Sequence, residues 1–106
     1  MAHTYKNSKV DLTATSVTTV YTVPTGATSI VKSVLVSDDS GSGDTITLTI
    51  TNGSDVFSLF KTKSIGANGT SELLAAPLVL TAGEILKATA ATADRLHIVC
   101  SYLEIT

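Results

Sequence analysis

Residues 45–53 read Thr-Ile-Thr-Leu-Thr-Ile-Thr-Asn-Gly, and this stretch constrains the fold more than any other. Three apolar residues alternate with four threonines, so one face is apolar and the other carries hydroxyls. This two-residue period predicts a strand with one buried side. Asn52-Gly53 tolerates the positive φ angles of a two-residue hairpin turn, so Ser54 to Lys61 is predicted as the return strand.

A two-residue loop also sets the register of this hairpin. It places Leu48 opposite Phe57 and Ile46 opposite Leu59 on the apolar face. The other face of the first strand carries Thr45, Thr47, Thr49 and Thr51. We expect this hydroxyl face to point toward solvent.

Turn signals recur along the whole chain, about every 8 to 15 residues, which is typical of an all-β sandwich. The predicted strands are residues 5–13, 17–23, 28–37, 45–51, 54–61, 70–80, 84–92 and 95–105. Pro77 interrupts the sixth of these, which indicates an edge or a bend. The pattern predicts an all-β fold: an antiparallel, jelly-roll-like β-sandwich of about eight strands, with residues 1–106 as a single domain.

Composition excludes several classes of function. The net charge is −2, and six lysines and one arginine are scattered along the 106 residues, so no nucleic-acid partner is expected. No apolar run approaches the roughly 20 residues of a membrane helix, and residues 1–6 lack the apolar core of a signal peptide. Cys100 is the single cysteine, so no internal disulfide can form.

The sequence offers no convincing catalytic or cofactor site. His97 and Cys100 are three positions apart on a predicted strand, so they point to opposite faces and form no dyad. Asp38, Asp39 and Asp44 lie in a Ser/Gly loop that could ligate calcium, but their spacing does not match the EF-hand pattern. A solvated turn is the preferred interpretation. We predict no catalytic residue, no cofactor and no metal.

The last strand is apolar on both faces. One face carries Leu96, Ile98, Cys100 and Tyr102, and the other includes Val99, Leu103 and Ile105. The last three would be exposed on a monomer, which predicts a subunit interface. The alternative is a twisted strand whose ends pass under loops.

The N-terminal segment has two interpretations as well. Residues 1–12, with Tyr5, Lys6 and Lys9, form either a solvated edge strand or an arm that reaches a neighbouring subunit. In the second case these three residues would join the predicted interface.

Four stretches carry a resemblance to a known family. They are residues 20–26 (Val-Tyr-Thr-Val-Pro-Thr-Gly), 30–37, 80–86 and 96–105. Together they cover most of the chain, which resembles small virion structural proteins of tailed bacteriophages, particularly those of marine and cyanobacterial phages. The motifs are turns and strands. The resemblance implies a β-sandwich without enzymatic activity.

From this resemblance we expect a non-enzymatic virion protein that is assembled in the bacterial cytoplasm. A capsid decoration or cement protein is favoured, bound to the major capsid protein or other virion proteins as a homo-oligomer, with a trimer favoured. The alternatives are a tail, baseplate or fibre-associated component and, more remotely, a carbohydrate-binding adhesion module. The lack of tryptophan argues against the last alternative.

Overall fold

The computed structural model describes residues 2–106, so position 1 of the predicted N-terminal segment lies outside the described residues. Within that range the chain forms strands and connecting loops, without a helix. The strands are β1 (His3–Asp11), β2 (Thr18–Thr22), β3 (Thr28–Asp38), β4 (Asp44–Asn52), β5 (Asp55–Ile65), β6 (Thr70–Glu72), β7 (Leu78–Leu80), β8 (Ile85–Ala90) and β9 (Leu96–Ile105).

The strands form two antiparallel sheets. Sheet A has the order β1-β9-β3-β6, with β7 also paired to β3, and sheet B has the order β2-β8-β4-β5. The pairing is nested: β1 pairs with β9, β2 with β8, β3 with β6 and β7, and β4 with β5. Rolling such a nested ladder into two layers produces a jelly roll. The predicted antiparallel β-sandwich is confirmed.

The sixth predicted strand is in fact two strands. Residues 70–80 form β6 and β7, which pair with different parts of β3. Pro77 lacks a backbone N–H for a sheet ladder and precedes β7 directly, so the segment leaves the sheet between the two short strands. Residues 2–106 therefore contain nine strands, compared with the prediction of about eight.

The β4–β5 hairpin is present, but its predicted register is wrong by two residues. Asn52 pairs with Asp55, so Gly53-Ser54 forms the two-residue loop, and Phe57 lies opposite Ile50. Gly53 has a φ of 61° and occupies the first loop position, as a type II′ turn requires. Irregularities further along place Phe60 opposite Leu48 and Lys63 opposite Ile46.

A bulge in β3 explains why its sequence reads as apolar on both faces. The register shifts between Val31 and Ser33, so Lys32 is the extra residue. After the shift, Val34 points inward like Val31, and both are fully buried. Leu35 points outward and keeps 39% of its surface exposed.

The core lies between the two sheets, and each sheet contributes its inward-facing side chains. The largest fully buried side chains are Leu12, Ile46, Leu48, Leu80, Leu86, Leu96, Ile98, Val23, Val31, Val34, Val36 and Cys100. On β9 the buried and partly exposed residues alternate without interruption over ten positions. Burial of this apolar face is the main force that holds the sandwich together.

Candidate assembly surface

The outward-facing side of sheet A carries an apolar row that crosses four strands. The register places Tyr5 of β1 opposite Leu103 of β9, Leu103 opposite Ile30 of β3, and Ile30 opposite Val79 of β7. Tyr5 and Val79 are 75% and 57% exposed, and the two central side chains are partly exposed. We call these four residues the apolar row.

A second row crosses the same face and adds charge to it. Lys9 of β1 lies opposite Val99 of β9, Val99 opposite Leu35 of β3, and Leu35 opposite Glu72 of β6. We call these four residues the mixed row, since it is apolar in the middle with a cation at one end and an anion at the other. Between the two rows, Ser101 pairs with Asn7 and Ser33.

The three predicted interface residues of β9 all belong to this face. Val99, Leu103 and Ile105 alternate with buried neighbours and are each partly exposed. They are less exposed than expected from the sequence, because β9 lies between β1 and β3 and both neighbours shield its sides.

The N-terminal segment is an edge strand of its own molecule. Tyr5 and Lys9 lie on the outward face, whereas Lys6 lies opposite the inward-facing Tyr102. Lys6 Nζ donates to Glu104 Oε1 at 2.9 Å, so its charge is used within the chain. Two of the three N-terminal candidate residues therefore lie on the outward face of sheet A, and Lys6 does not.

Glu104 is the centre of a polar network that links β1 and β9 of sheet A to β2 of sheet B. The Tyr21 hydroxyl donates to Glu104 Oε2 at 2.8 Å and lies 2.5 Å from Ser29 Oγ. The hydrogen bond from Lys6, followed by the one from Tyr21, lowers the pKa of Glu104, and burial raises the pKa of Tyr21. The ring of Tyr21 also stacks on that of Tyr102, with centroids 3.9 Å apart.

The position of Glu104 in the last strand is a sequence signal for this network, although Glu104 is not among the predicted site residues. Glu104 continues the inward-facing series of β9, and a carboxylate at a core position needs hydrogen-bond donors. It is 7% exposed.

Four further residues of this outward face were not among the predicted interface residues: Ile30, Leu35, Glu72 and Val79. The apolar residues on both faces of the third predicted strand were the available signal for two of them. The bulge at Lys32, which decides which side chains face outward, has no clear signature in the sequence.

Glu72 is held in place by the backbone beside it. Its carboxylate accepts hydrogen bonds from the Ser33 hydroxyl, the Val34 N–H at 2.8 Å and the Leu74 N–H at 3.2 Å. Partial burial opposes ionisation of Glu72, but these hydrogen bonds outweigh it and lower its pKa. The mixed row therefore ends in a fixed negative charge at neutral pH.

The outward side of sheet B has different chemistry. Thr45, Thr47 and Thr49 are partly exposed there, in agreement with the expected hydroxyl face. Thr51 is an exception: it is 8% exposed, and its hydroxyl has no hydrogen-bond partner among residues 2–106. Exposed apolar side chains on this sheet are concentrated near the hairpin turn, where Val56 and Phe57 are 62% and 56% exposed.

The potential nucleophile of the chain is sealed in the core. Cys100 is fully buried, and burial, with a smaller contribution from the charge of Glu72, raises the pKa of its thiol to about 12. His97 lies on the opposite face of β9. Its Nε2 is 3.3 Å from Asp11 Oδ1, and its Nδ1 is 3.6 Å from Asp39 Oδ2. A thiol that stays protonated and lies away from the imidazole cannot act with it as a nucleophilic pair.

The acidic loop is organised by its own hydrogen bonds. Asp38 Oδ1 accepts from the Ser40 hydroxyl at 2.5 Å and the Ser40 N–H at 2.8 Å, and Oδ2 accepts from the Gly43 N–H at 2.5 Å. The hydroxyl of Ser40 is the main reason that the pKa of Asp38 is lowered. Among residues 2–106, no group of three His, Cys, Asp or Glu side chains is arranged to hold a metal ion.

Concave surfaces on the sheets are shallow. Depressions of about 290 and 360 Å³ lie along β1 and β9, and one of about 320 Å³ lies among threonines of sheet B. In the described part of the chain, no helix has the length and apolar character to span a membrane.

Comparison with solved structures shows where this fold occurs. The chain is similar to a structure from Bacillus endospore appendages, described as a novel family of disulfide-linked pili, with a TM-score of 0.58, 11% identity, and coverage of 98% of this chain and 88% of the other. At this identity the likeness concerns the fold alone. No family model and no curated protein matches the sequence.

Two crystal structures of a pentameric capsid protein from metagenomic phage sequences are weaker matches. Each has a TM-score of 0.45, 21% identity and coverage of 92% of this chain. The matches cover 59% and 66% of those chains. At this TM-score they carry no argument about the present chain.

Proposed function

We propose that this chain is a non-enzymatic structural protein of a phage virion. The observation that carries the proposal is the outward face of sheet A, where apolar side chains from four strands form one continuous surface. Contiguous exposed apolar surface of this kind marks interaction sites on folded proteins. The resemblance of the four sequence stretches to virion proteins of tailed phages supplies the context for that assembly.

The disposition of polar groups supports a structural role over catalysis. Glu104, Asp38 and Glu72 are each engaged by donors within the chain, and Cys100 lies between the sheets. These groups stabilise the sandwich, where a catalytic site would need some of them free to meet a substrate.

Within the virion, we place the protein on the capsid as a decoration protein. A rigid sandwich with an apolar face on sheet A, and with exposed apolar side chains on opposite faces of the β4–β5 hairpin end at Val56 and Phe57, offers two separate contacts. The first would join copies to one another, and the second would touch the lattice of the major capsid protein. Many such contacts, individually weak, gain strength through multivalency.

Copy number in purified particles tests this placement. Particles of the virus that encodes the chain are purified, and the chain is quantified by mass spectrometry relative to the major capsid protein. Hundreds of copies per particle are expected for a capsid decoration protein. A few tens indicate a tail, baseplate or fibre component, and absence from intact particles contradicts the virion assignment altogether.

A carbohydrate-binding module fits the structure less well. Tyr21 and Tyr102 stack within the core, so they offer no platform for a sugar ring. Tyr5 and Phe57 are exposed, but they lie on different sheets. Binding on a glycan array would revive this alternative.

A further inference from the structure

We propose that the outward face of sheet A binds the same face of a second copy, around a twofold axis that runs parallel to the strands between β9 and β3. This inference rests on the proposed assembly role of that face and specifies its occupant. The layout of the two rows carries it, because each row is complementary to itself under this one rotation.

The rotation exchanges the two sides of the sheet and keeps each row at its own height. The apolar row then meets its own copy, with Tyr5 facing the partner's Val79 and Leu103 facing the partner's Ile30. Each contact occurs twice, as a twofold interface requires. The exposed ends of the row, which are 75% and 57% accessible on one molecule, become covered.

The mixed row determines the direction of the axis. Under the same rotation, Lys9 of one copy faces Glu72 of the other, and this pairing occurs twice. A twofold axis perpendicular to the strands would instead exchange the two rows and place Lys9 over Tyr5. That arrangement covers both charges with apolar side chains and gives neither an oppositely charged partner, at a cost in desolvation.

The size of the face suits a specific interface at the lower end of the usual range. Four strands spaced by about 4.8 Å and a β9 with a rise of about 3.3 Å per residue give roughly 600 Å² per copy. Two copies then bury roughly 1,200 Å² in total, which is the lower limit for stable protein pairs. Facing sheets pack about 10 Å apart with nearly aligned strands, so the outward side chains of both copies can interdigitate.

The mass of the purified chain tests the pairing directly. Light scattering across a concentration series is expected to rise from 10.9 kDa, the mass of one chain, toward twice that value. A mass that stays at one chain at the highest concentration overturns the proposal, and so does a mass of three chains, the trimer expected from the sequence. Presence in virions tests the proposed function separately, since a dimer absent from particles leaves this inference standing.

A matched pair of valine variants locates the interface. Val79→Lys and Val56→Lys each replace an exposed valine on an edge strand, one on sheet A and one on sheet B. We expect Val79→Lys to weaken association at least tenfold and Val56→Lys to leave it unchanged. Equal effects of the two variants would contradict the assignment to sheet A.

Cross-linking tests the axis. In the double variant Tyr5→Cys with Val79→Cys, a bifunctional maleimide with a reach of about 10 Å is expected to join two chains, because the two positions face each other across the interface. Within one chain they are roughly 14 Å apart, since three strand spacings separate them. The single variant Tyr5→Cys is the control and should remain uncross-linked. A linked single variant, or an unlinked double variant, would show that the axis is wrong.

Discussion

The outward faces of the two sheets share a backbone geometry and differ in what they present. The outward face of sheet A carries one row of apolar side chains, Tyr5, Leu103, Ile30 and Val79. The outward face of β4, an inner strand of sheet B, carries Thr45, Thr47 and Thr49. Water can form hydrogen bonds with the hydroxyls, whereas exposure of the apolar row to water is unfavourable. The difference gives sheet A an outward face suited to association, whereas the threonine-lined part of sheet B is suited to solvent.

The strongest test converts one face into the other. Replacing Ile30 and Leu103 with threonine gives sheet A the chemistry of sheet B. Each substitution removes roughly 1 kcal/mol of apolar contact per copy, so four sites across a twofold interface amount to about 4 kcal/mol, or about a thousandfold in the dissociation constant. Sedimentation analysis should show a monomer. The reverse change, Thr47→Val with Thr49→Val, is expected to create new association; if neither pair alters the mass, the comparison between the faces has no functional meaning.

A second test concerns the buried hydrogen-bond network on the inward side of sheet A. Tyr21→Phe removes the hydroxyl that contacts both Glu104 and Ser29, so buried polar atoms lose a partner. We expect a loss of about 1–3 kcal/mol in the free energy of unfolding, measured with urea. Tyr102→Phe is the control, because within the described part of the chain its hydroxyl makes no side-chain hydrogen bond, and it should change stability much less. Equal losses in the two variants would exclude the network as the cause.

Low pH should weaken the hydrogen-bond network of Glu104 and so lower the free energy of unfolding. The pKa of Glu104 is lower in the folded chain than the value of about 4.3 expected after unfolding, so its contribution is fully present above that pH and is lost as the pH falls through the folded value. Unfolding measured between about pH 6 and about pH 3 should show a smaller pH dependence for Glu104→Gln. Glu72 and Asp38 also have lowered pKa values, so some dependence will remain. An unchanged slope would contradict the assigned role of Glu104.

The smallest effect is expected from a substitution at Thr51, the one buried threonine on the hydroxyl face of β4. The Thr51 hydroxyl is buried and has no partner among the described residues, so Thr51→Val should stabilise the fold by about 1 kcal/mol. Thr49→Val, at a partly exposed position of the same strand, is the control and should be close to neutral. Differential scanning calorimetry distinguishes the two variants, and destabilisation by Thr51→Val would indicate that the hydroxyl has a partner in solution.

Local patterns in the sequence predicted the layers well and the details of pairing less well. The alternation around Ile46 and Leu48 indicated a half-buried strand, and both side chains are fully buried. The hairpin register was wrong because Asn52-Gly53 was taken as the loop, and the chain uses Gly53-Ser54. Both loops suit the same short segment, and packing of the flanking strands selects one of them.

The outward face of sheet A could be predicted in part for a similar reason. The two-sided character of β9 was visible from its sequence, so Val99, Leu103 and Ile105 were correctly assigned to one face of the strand. Side chains from other strands join them only through long-range pairing and through the bulge at Lys32. Neither is encoded by a short sequence pattern.

The nested pairing of the strands has a consequence for the order of folding. Among the described strands, β4 and β5 are the sole pair joined by a short turn, whereas β1 must wait for β9, and Lys6 bonds a residue 98 positions away. Closing short loops is faster than closing long ones, so we expect the central hairpin to form first and the outer strands to add in sequence around it. Pulse-labelling hydrogen exchange should show protection of β4 and β5 before β1. On the ribosome, β1 would then remain unpaired until β9 has been synthesised.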